Sequence, residues 1–269
     1  MTLVLALKAE PGQRLDLSPL APNLLAGKSE VEIAALELQT TKEKASVGDV
    51  FTIRADGAFD ALRFEGGSAR FDGLGAGMTA GTIHVEGDCG QSLGRGMSGG
   101  SIRISGSAGP FAGSAMSGGT IEIAGSAGDF LGAPLDGEME GMSGGVLVVR
   151  GSAGARAGDR MRRGTLIVEG AVGADAASRF IAGTLVAVGG AGAAPGYLMR
   201  RGTLVFGSAP EFGPTFVDCG AFRLSFMGLF AKFMRPYSEP AARLLASGRF
   251  NRFGGDTAAL GKGEIFLPA

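Results

Sequence analysis

Met116–Gly128, MSGGTIEIAGSAG, decides how this 269-residue chain folds, because a near copy, MSGGSIRISGSAG at Met97–Gly109, stands 19 residues before it. With Gly119 as the anchor, the unit recurs at Gly81, Gly100, Gly145, Gly164, Gly183 and Gly202, and successive gaps are 19, 19, 26, 19, 19 and 19 residues. A fixed period near twenty is the signature of a solenoid, in which each unit buries its apolar face against its neighbours. After each anchor, apolar residues alternate: Ile83 and Val85, Ile102 and Ile104, Ile121 and Ile123, Leu147 and Val149, Leu166 and Val168, Leu185 and Ala187, Leu204 and Phe206. That period of two predicts a short strand with one face inward. Glycine columns between the strands, such as Gly94, Gly113, Gly132, Gly158 and Gly196 with Ala177 as the exception, predict corners, because glycine accepts positive φ without a Cβ clash.

One coil per 19 residues predicts an all-β fold, a parallel β-helix. The period is not a multiple of six, which favours a right-handed helix over the left-handed hexapeptide kind. The seven-residue excess between Gly119 and Gly145 places a loop at 133–140. Met78, Met97, Met116, Met142, Met161, Phe180 and Met199 form one column, read as a buried stack of flexible side chains. The expected organisation is a β-rich N-terminal cap over 1–46, the β-helix over 47–218 and a helical, Phe-rich segment over 219–269. In the cap, Leu3–Leu7 and Val31–Leu38 read as strands. In the last segment, Phe222, Phe226, Leu229 and Phe233 fall at helical spacing until Pro236, and a second helix runs from Ser238 towards Gly248.

Composition excludes several classes of function. A net charge of −1 argues against general nucleic-acid binding. No run approaches 18 apolar residues, so no membrane span is expected, and the apolar stretch in MTLVLALKAE is too short for a signal peptide. The expected location is cytoplasmic. Cys89 shares a column with Ala108, Ala127, Ala153, Val172 and Ala191 and reads as a packed thiol; Cys219 carries no motif. His84, the single histidine, aligns with Arg103 and Glu122 on an outward position. These residues cannot assemble a Cys/His metal set. The acids Glu86, Glu122, Asp129, Asp159 and Glu169 read as scattered over different columns, unlike the paired carboxylates of a glycosidase. No catalytic residue and no metal ligand is assigned.

Two surfaces stand out. Down the outward strand position the residues are His84, Arg103, Glu122, Val148, Ile167, Val186 and Val205, so the last four form an aliphatic strip that something must cover. Either the C-terminal helices or a partner subunit would do so. Val148, Ile167, Val186 and Val205, with Phe222, Phe226 and Phe233, are therefore candidate interface residues. Residues 150–201 hold eight arginines against three acids. Arg162 and Arg200 share one column and Arg163 and Arg201 the next, a candidate patch for an anionic partner. Pairing with the loop acids Asp136, Glu138 and Glu140 is the plainer alternative.

The stacked GM-[ST]-x-G-x-[IL]-x-[IV]-x-G pattern, at 77–87, 96–106 and 141–151, resembles the GXGXG domain at the C-terminus of the glutamate synthase large subunit. With FMRPYSEP at 233–240 and RFGGDTAALGKGEI at 252–265, nearly the whole chain resembles the C-subunit family of formylmethanofuran dehydrogenase, which includes the formyltransferase/hydrolase complex of methylotrophs. With 19 arginines to 6 lysines, the usage fits the bacterial complex better than a thermophilic archaeal tungsten or molybdenum dehydrogenase. The resemblance implies a non-catalytic scaffold. Its partners would be the formyltransferase subunit and hydrolase-like and dehydrogenase-like subunits. The complex would use a methanofuran analogue with an oligoglutamate tail and tetrahydromethanopterin, with the metal on another subunit and no cofactor bound by this chain. The corresponding subunit of an archaeal-type dehydrogenase and a glutamate synthase-like structural domain remain the alternatives.

Overall fold

The computed structural model describes residues 2–55, 57 and 59–269. It is mostly β, with one 13-stranded, largely parallel sheet, a smaller four-stranded sheet and a few short helices. The N-terminal part holds β1 (Thr2–Leu7), β2 (Leu15–Asp16), α1 (Pro22–Leu25), α2 (Glu30–Ala34), β3 (Glu37–Thr40), β4 (Ala45–Ser46), α3 (Val47–Val50), β5 (Phe51–Ala55), β6 (Ala61–Glu65) and β7 (Phe71–Asp72). β1 lies inside the large sheet, parallel to β6 and antiparallel to β5, so Leu3 and Leu5 join the core rows beside Leu62 and Phe64. Val31–Leu38 is not one strand. Ser29 and Glu32 form a capping box, with Ser29 Oγ accepting from Glu32 N at 3.3 Å and Glu32 Oε2 accepting from Ser29 N at 2.8 Å. That local pairing holds 30–34 helical, and the strand begins only at Glu37.

The repeats supply β8 (Thr82–Val85), β9 (Ser101–Ile104), β10 (Thr120–Ile123), β11 (Val146–Val149), β12 (Thr165–Val168), β13 (Thr184–Ala187) and β14 (Arg201–Phe206), each parallel to the next. Ile83, Ile102, Ile121, Leu147, Leu166, Leu185 and Leu204 are register partners in one fully buried row. Burial of each such side chain contributes roughly 1.5–3 kcal/mol. Pairing continues away from the strands. Cys89, Ala108, Ala127, Ala153, Val172 and Ala191 form a second column of parallel bridges. The amide after each residue of the methionine column donates to the carbonyl of that column in the preceding repeat, as in Ser117 N to Met97 O at 2.8 Å and Arg200 N to Phe180 O at 2.7 Å. The Met78-to-Met199 column is buried throughout. Residues 133–140 form a loop without helix or strand. It is pinned by an Arg95–Glu138 ion pair and by Arg160 Nη1, which donates to Glu138 O at 2.8 Å.

After the repeats come β15 (Val217–Arg223), α4 (Ser225–Met234), α5 (Glu239–Ala246), β16 (Arg249–Gly255) and β17 (Lys262–Pro268). Phe222 therefore sits in a strand, and the helix starts three residues later than its spacing predicts. The segment is only partly helical: β17 runs parallel to β14, with Leu204 opposite Ile265, and β16 and β15 add antiparallel strands beyond it. Asp256, almost fully buried, closes this end by accepting from Leu198 N and Ala258 N, each at 2.8 Å.

The outward faces divide the sheet. TIHV, SIRI and TIEI in β8–β10 alternate, whereas VLVV, TLIV and TLVA in β11–β13 are apolar on both faces. Strands of the second kind are buried on both sides. α4 and α5 fold back over them. Val148, Ile167, Val186 and Val205 pack there against Met227, Ala231, Met234, Ala241, Ala242, Leu245, Phe250 and Phe266. These four aliphatics are thus covered by the chain itself, which corrects the expectation of a partner interface at those positions. Among the described residues, no helix is long and apolar enough to cross a membrane.

Candidate functional site

One corner of the repeats concentrates charge. In two successive repeats there, three alternate residues adopt left-handed backbone: Arg156, Gly158 and Arg160 at φ 59°, 76° and 49°, then Asp175, Ala177 and Arg179 at 56°, 56° and 50°. Non-glycine residues reach this region at a cost. Cross-repeat bonds hold them, among them Arg156 N to Ala174 O at 2.8 Å and Arg160 N to Ser178 O at 2.9 Å. The result is that Arg156, Arg160 and Arg179 converge on Asp159, which is 2% exposed, with closest N···O distances of 3.2, 3.6 and 3.3 Å. Burial pushes the Asp159 carboxyl up, and the guanidinium groups of Arg156 and Arg160 oppose that shift without cancelling it. Three cations against one carboxylate leave a positive surplus. Beside them lies a groove of about 520 Å³ lined by Met139, Glu140, Arg160, Arg179, Ile181, Leu198, Arg200 and Ala259.

Of the four predicted patch arginines, the structure separates one from the rest. Arg162 Nη1 donates to both oxygens of Glu140 at 2.7 Å, and that contact raises its pKa. Arg163, Arg200 and Arg201 are exposed, and among the described residues none has an ion pair. Arg200 lines the groove beside Arg160 and Arg179, a neighbourhood that the shared columns of the patch do not reveal. The signal was available, since Arg160 and Arg179 are themselves 19 residues apart.

The outward face of β8–β12 carries a charge ladder instead. Arg103 Nη2 donates to Glu122 Oε2 at 2.9 Å, Arg150 Nη2 to Glu122 Oε1 at 2.6 Å, and Arg150 Nη1 to Glu169 Oε1 at 2.5 Å. Ser238 Oγ, from the start of α5, ends the ladder on Glu169 at 2.7 Å. Glu86 and Glu169 do share a column, contrary to the expectation of scattered acids, and each is held by an arginine, Arg63 and Arg150 respectively. His84 Nε2 meets Ser105 Oγ at 3.3 Å on this surface. Cys89 is buried, and burial, followed by the Asp88 charge, raises its thiol pKa strongly. Among the described residues, no three His, Cys, Asp or Glu side chains are grouped as metal ligands.

Phe222, Phe226 and Phe233 stay 42%, 48% and 49% exposed at the C-terminal layer. Phe226 and Phe233 line a second groove, of about 650 Å³, with Thr184, Thr203, Leu229, Phe230 and Lys232. Leu229 is an addition to the expected interface residues, and its place on the same helical stripe was the signal for it.

No family model matches the chain. It is 57% identical over 265 residues to the C subunit of the formyltransferase/hydrolase complex Fhc of Methylorubrum extorquens, a match covering 98% of this chain and 99% of that protein. It superimposes with a TM-score of 0.93, at 47% sequence identity and 99% coverage of both chains, on a chain in the crystal structure of the formyltransferase/hydrolase complex (FhcABCD) from Methylorubrum extorquens in complex with methylofuran. Identity of that order along the full length, with the same architecture, places this chain in the C-subunit family of the formyltransferase/hydrolase complex.

Proposed function

We propose that the chain is the non-catalytic scaffold, the C subunit, of a formyltransferase/hydrolase complex. In this reading the complex moves formyl from formyl-tetrahydromethanopterin to a methanofuran analogue and releases formate. The observation that carries the reading is the 57% identity spread over 98% of the chain. The paired columns away from the strands support a closed parallel β-helix as the frame, taken as right-handed from its 19-residue period, with 1–46 and 219–269 as its two ends. Such a frame is stiff, because every repeat is bonded to both neighbours. Several of its polar side chains are spent on that frame: Glu122 and Glu169 on the ladder, Asp159 on three arginines, Cys89 in the core.

Catalysis, and the metal it needs, belong on this reading to the hydrolase-like, dehydrogenase-like and formyltransferase partners in the cytoplasm. The relative's complex holds methylofuran. Arg163, Arg200 and Arg201 suit contact with an anionic portion of such a cofactor, because their charge is unmatched, whereas Arg162 is occupied by Glu140. Phe222, Phe226 and Phe233 are the apolar contacts offered to a partner. The test is co-expression with the three partner subunits. The expected result is one four-subunit assembly with formyl turnover, and no turnover by the isolated chain. Turnover by the isolated chain, or purification free of all partners, refutes the reading.

A further inference from the structure

The two ends of the large sheet are finished differently. At the N-terminal end, edge strand β5 is backed by α2 and α3, and Glu30 Oε1 accepts from Ala55 N at 2.5 Å. At the other end, β15 is the edge and six of its seven residues are exposed. Beside it, α4 is apolar on two sides. Met227, Ala231 and Met234 are buried against the sheet, while Phe226, Leu229 and Phe233 are 48%, 72% and 49% exposed. A helix apolar on both sides is built to be covered on both.

The charges without an ion pair beside this groove are cationic. Lys232 lines it. Arg201 lies two residues before Thr203 of its floor and is the register partner of Lys262 on β17. Arg223 and Arg249 are opposite each other on β15 and β16. Among the described residues none of these five has an ion pair, and the nearby Glu264 is taken by Arg252 at 2.8 Å. An isologous contact with a second copy would set these cations against each other.

We infer that the α4 groove receives an amphipathic segment of a partner subunit whose apolar side covers Phe226, Leu229 and Phe233 and whose flanks carry carboxylates. The inference rests on the scaffold reading above and adds the surface and the chemistry of what it binds.

Two variants of the co-expressed four-subunit complex test it: Leu229→Ser/Phe233→Ser, which removes apolar cover, and Lys232→Glu/Lys262→Glu, which reverses the rim. Each is expected to weaken subunit association at least about tenfold by titration. The melting temperature of the isolated chain should be kept, and wild-type association should weaken as salt rises. A photo-crosslinker at position 229 should capture an acid-flanked partner segment. Wild-type assembly with unaltered association in the rim variant overturns the groove while leaving the scaffold role intact. Failure of the wild type to assemble refutes the scaffold role itself. A crosslink to a second copy, or to a segment without carboxylates, overturns the named occupant. If the serine variant does not fold, the rim variant and the crosslink decide the matter alone.

Discussion

Glu122 binds two guanidinium groups from different repeats, Arg103 and Arg150. Burial, the largest single effect, would raise its pKa, but the hydrogen bonds and charges of Arg150 and Arg103 together outweigh burial and hold it below its ordinary 4.5. A carboxyl depressed in the folded state stabilises the fold above its unfolded pKa, and that stability is lost as pH falls through the folded value. Thermal melting of the wild type should therefore fall with acidification below about pH 4.5, and Glu122→Gln should flatten that fall while lowering stability at neutral pH. Gly119 makes a different demand. Its φ is +84°, and a Cβ there would approach Gly100 O at 2.7 Å. Gly119→Ala should cost about 1 kcal/mol for the left-handed backbone and more for the carbonyl contact, read as a lower denaturation midpoint. Ala177→Gly should be nearly neutral, because its φ of 56° already suits glycine.

At the scale of elements, α5 is fastened by one side chain at its start. Ser238 Oγ accepts from Ala241 N at 3.2 Å and donates to Glu169 on the charge ladder. Ser238→Ala should cost about 1 kcal/mol, with hydrogen exchange rising in α5 and not in β10. Val186→Asp would put a charge between the sheet and the helices. It should detach α4 and α5 and make 219–246 sensitive to protease, while the repeat columns stay paired. β17 shows how an element can be legible yet overlooked. Gly263-Glu264-Ile265-Phe266 copies the Gly202-Thr203-Leu204-Val205 pattern and takes its register, but its 61-residue displacement from Gly202 breaks the 19-residue count. The helix at 30–34 was equally available in the Ser29–Glu32 spacing, whereas alternating apolar residues favoured a strand.

For the molecule as a whole, the consequence is a division between the two surfaces proposed to meet partners: a cationic corner around Asp159 and Arg200, and an apolar C-terminal layer. They can be perturbed separately. Arg163→Gln/Arg200→Gln should leave the isolated chain's melting temperature unchanged, since neither group has an ion pair to lose among the described residues. In the assembled complex it should lower formyl turnover about tenfold if those charges meet an anionic group. Unchanged turnover and unchanged assembly would remove the patch from the functional reading.

The 19-residue period by itself determined the interior. Glycine corners and alternating apolar residues allow only one register in which every row stays buried, so Ile102, Ile121 and Leu147 had to stack. It equally placed the methionine column, the Cys89 column and the loop at 133–140. What covers the aliphatic strip of Val148, Ile167, Val186 and Val205 was decided only by the tertiary structure. Periodicity reports which side chains shun water but not which distant segment returns to shield them, and here α4 and α5 do so through contacts far apart in the chain. The convergence of Arg156, Arg160 and Arg179 on Asp159 is of the same kind, because it depends on left-handed backbone at non-glycine residues that only the stacked neighbours hold in place.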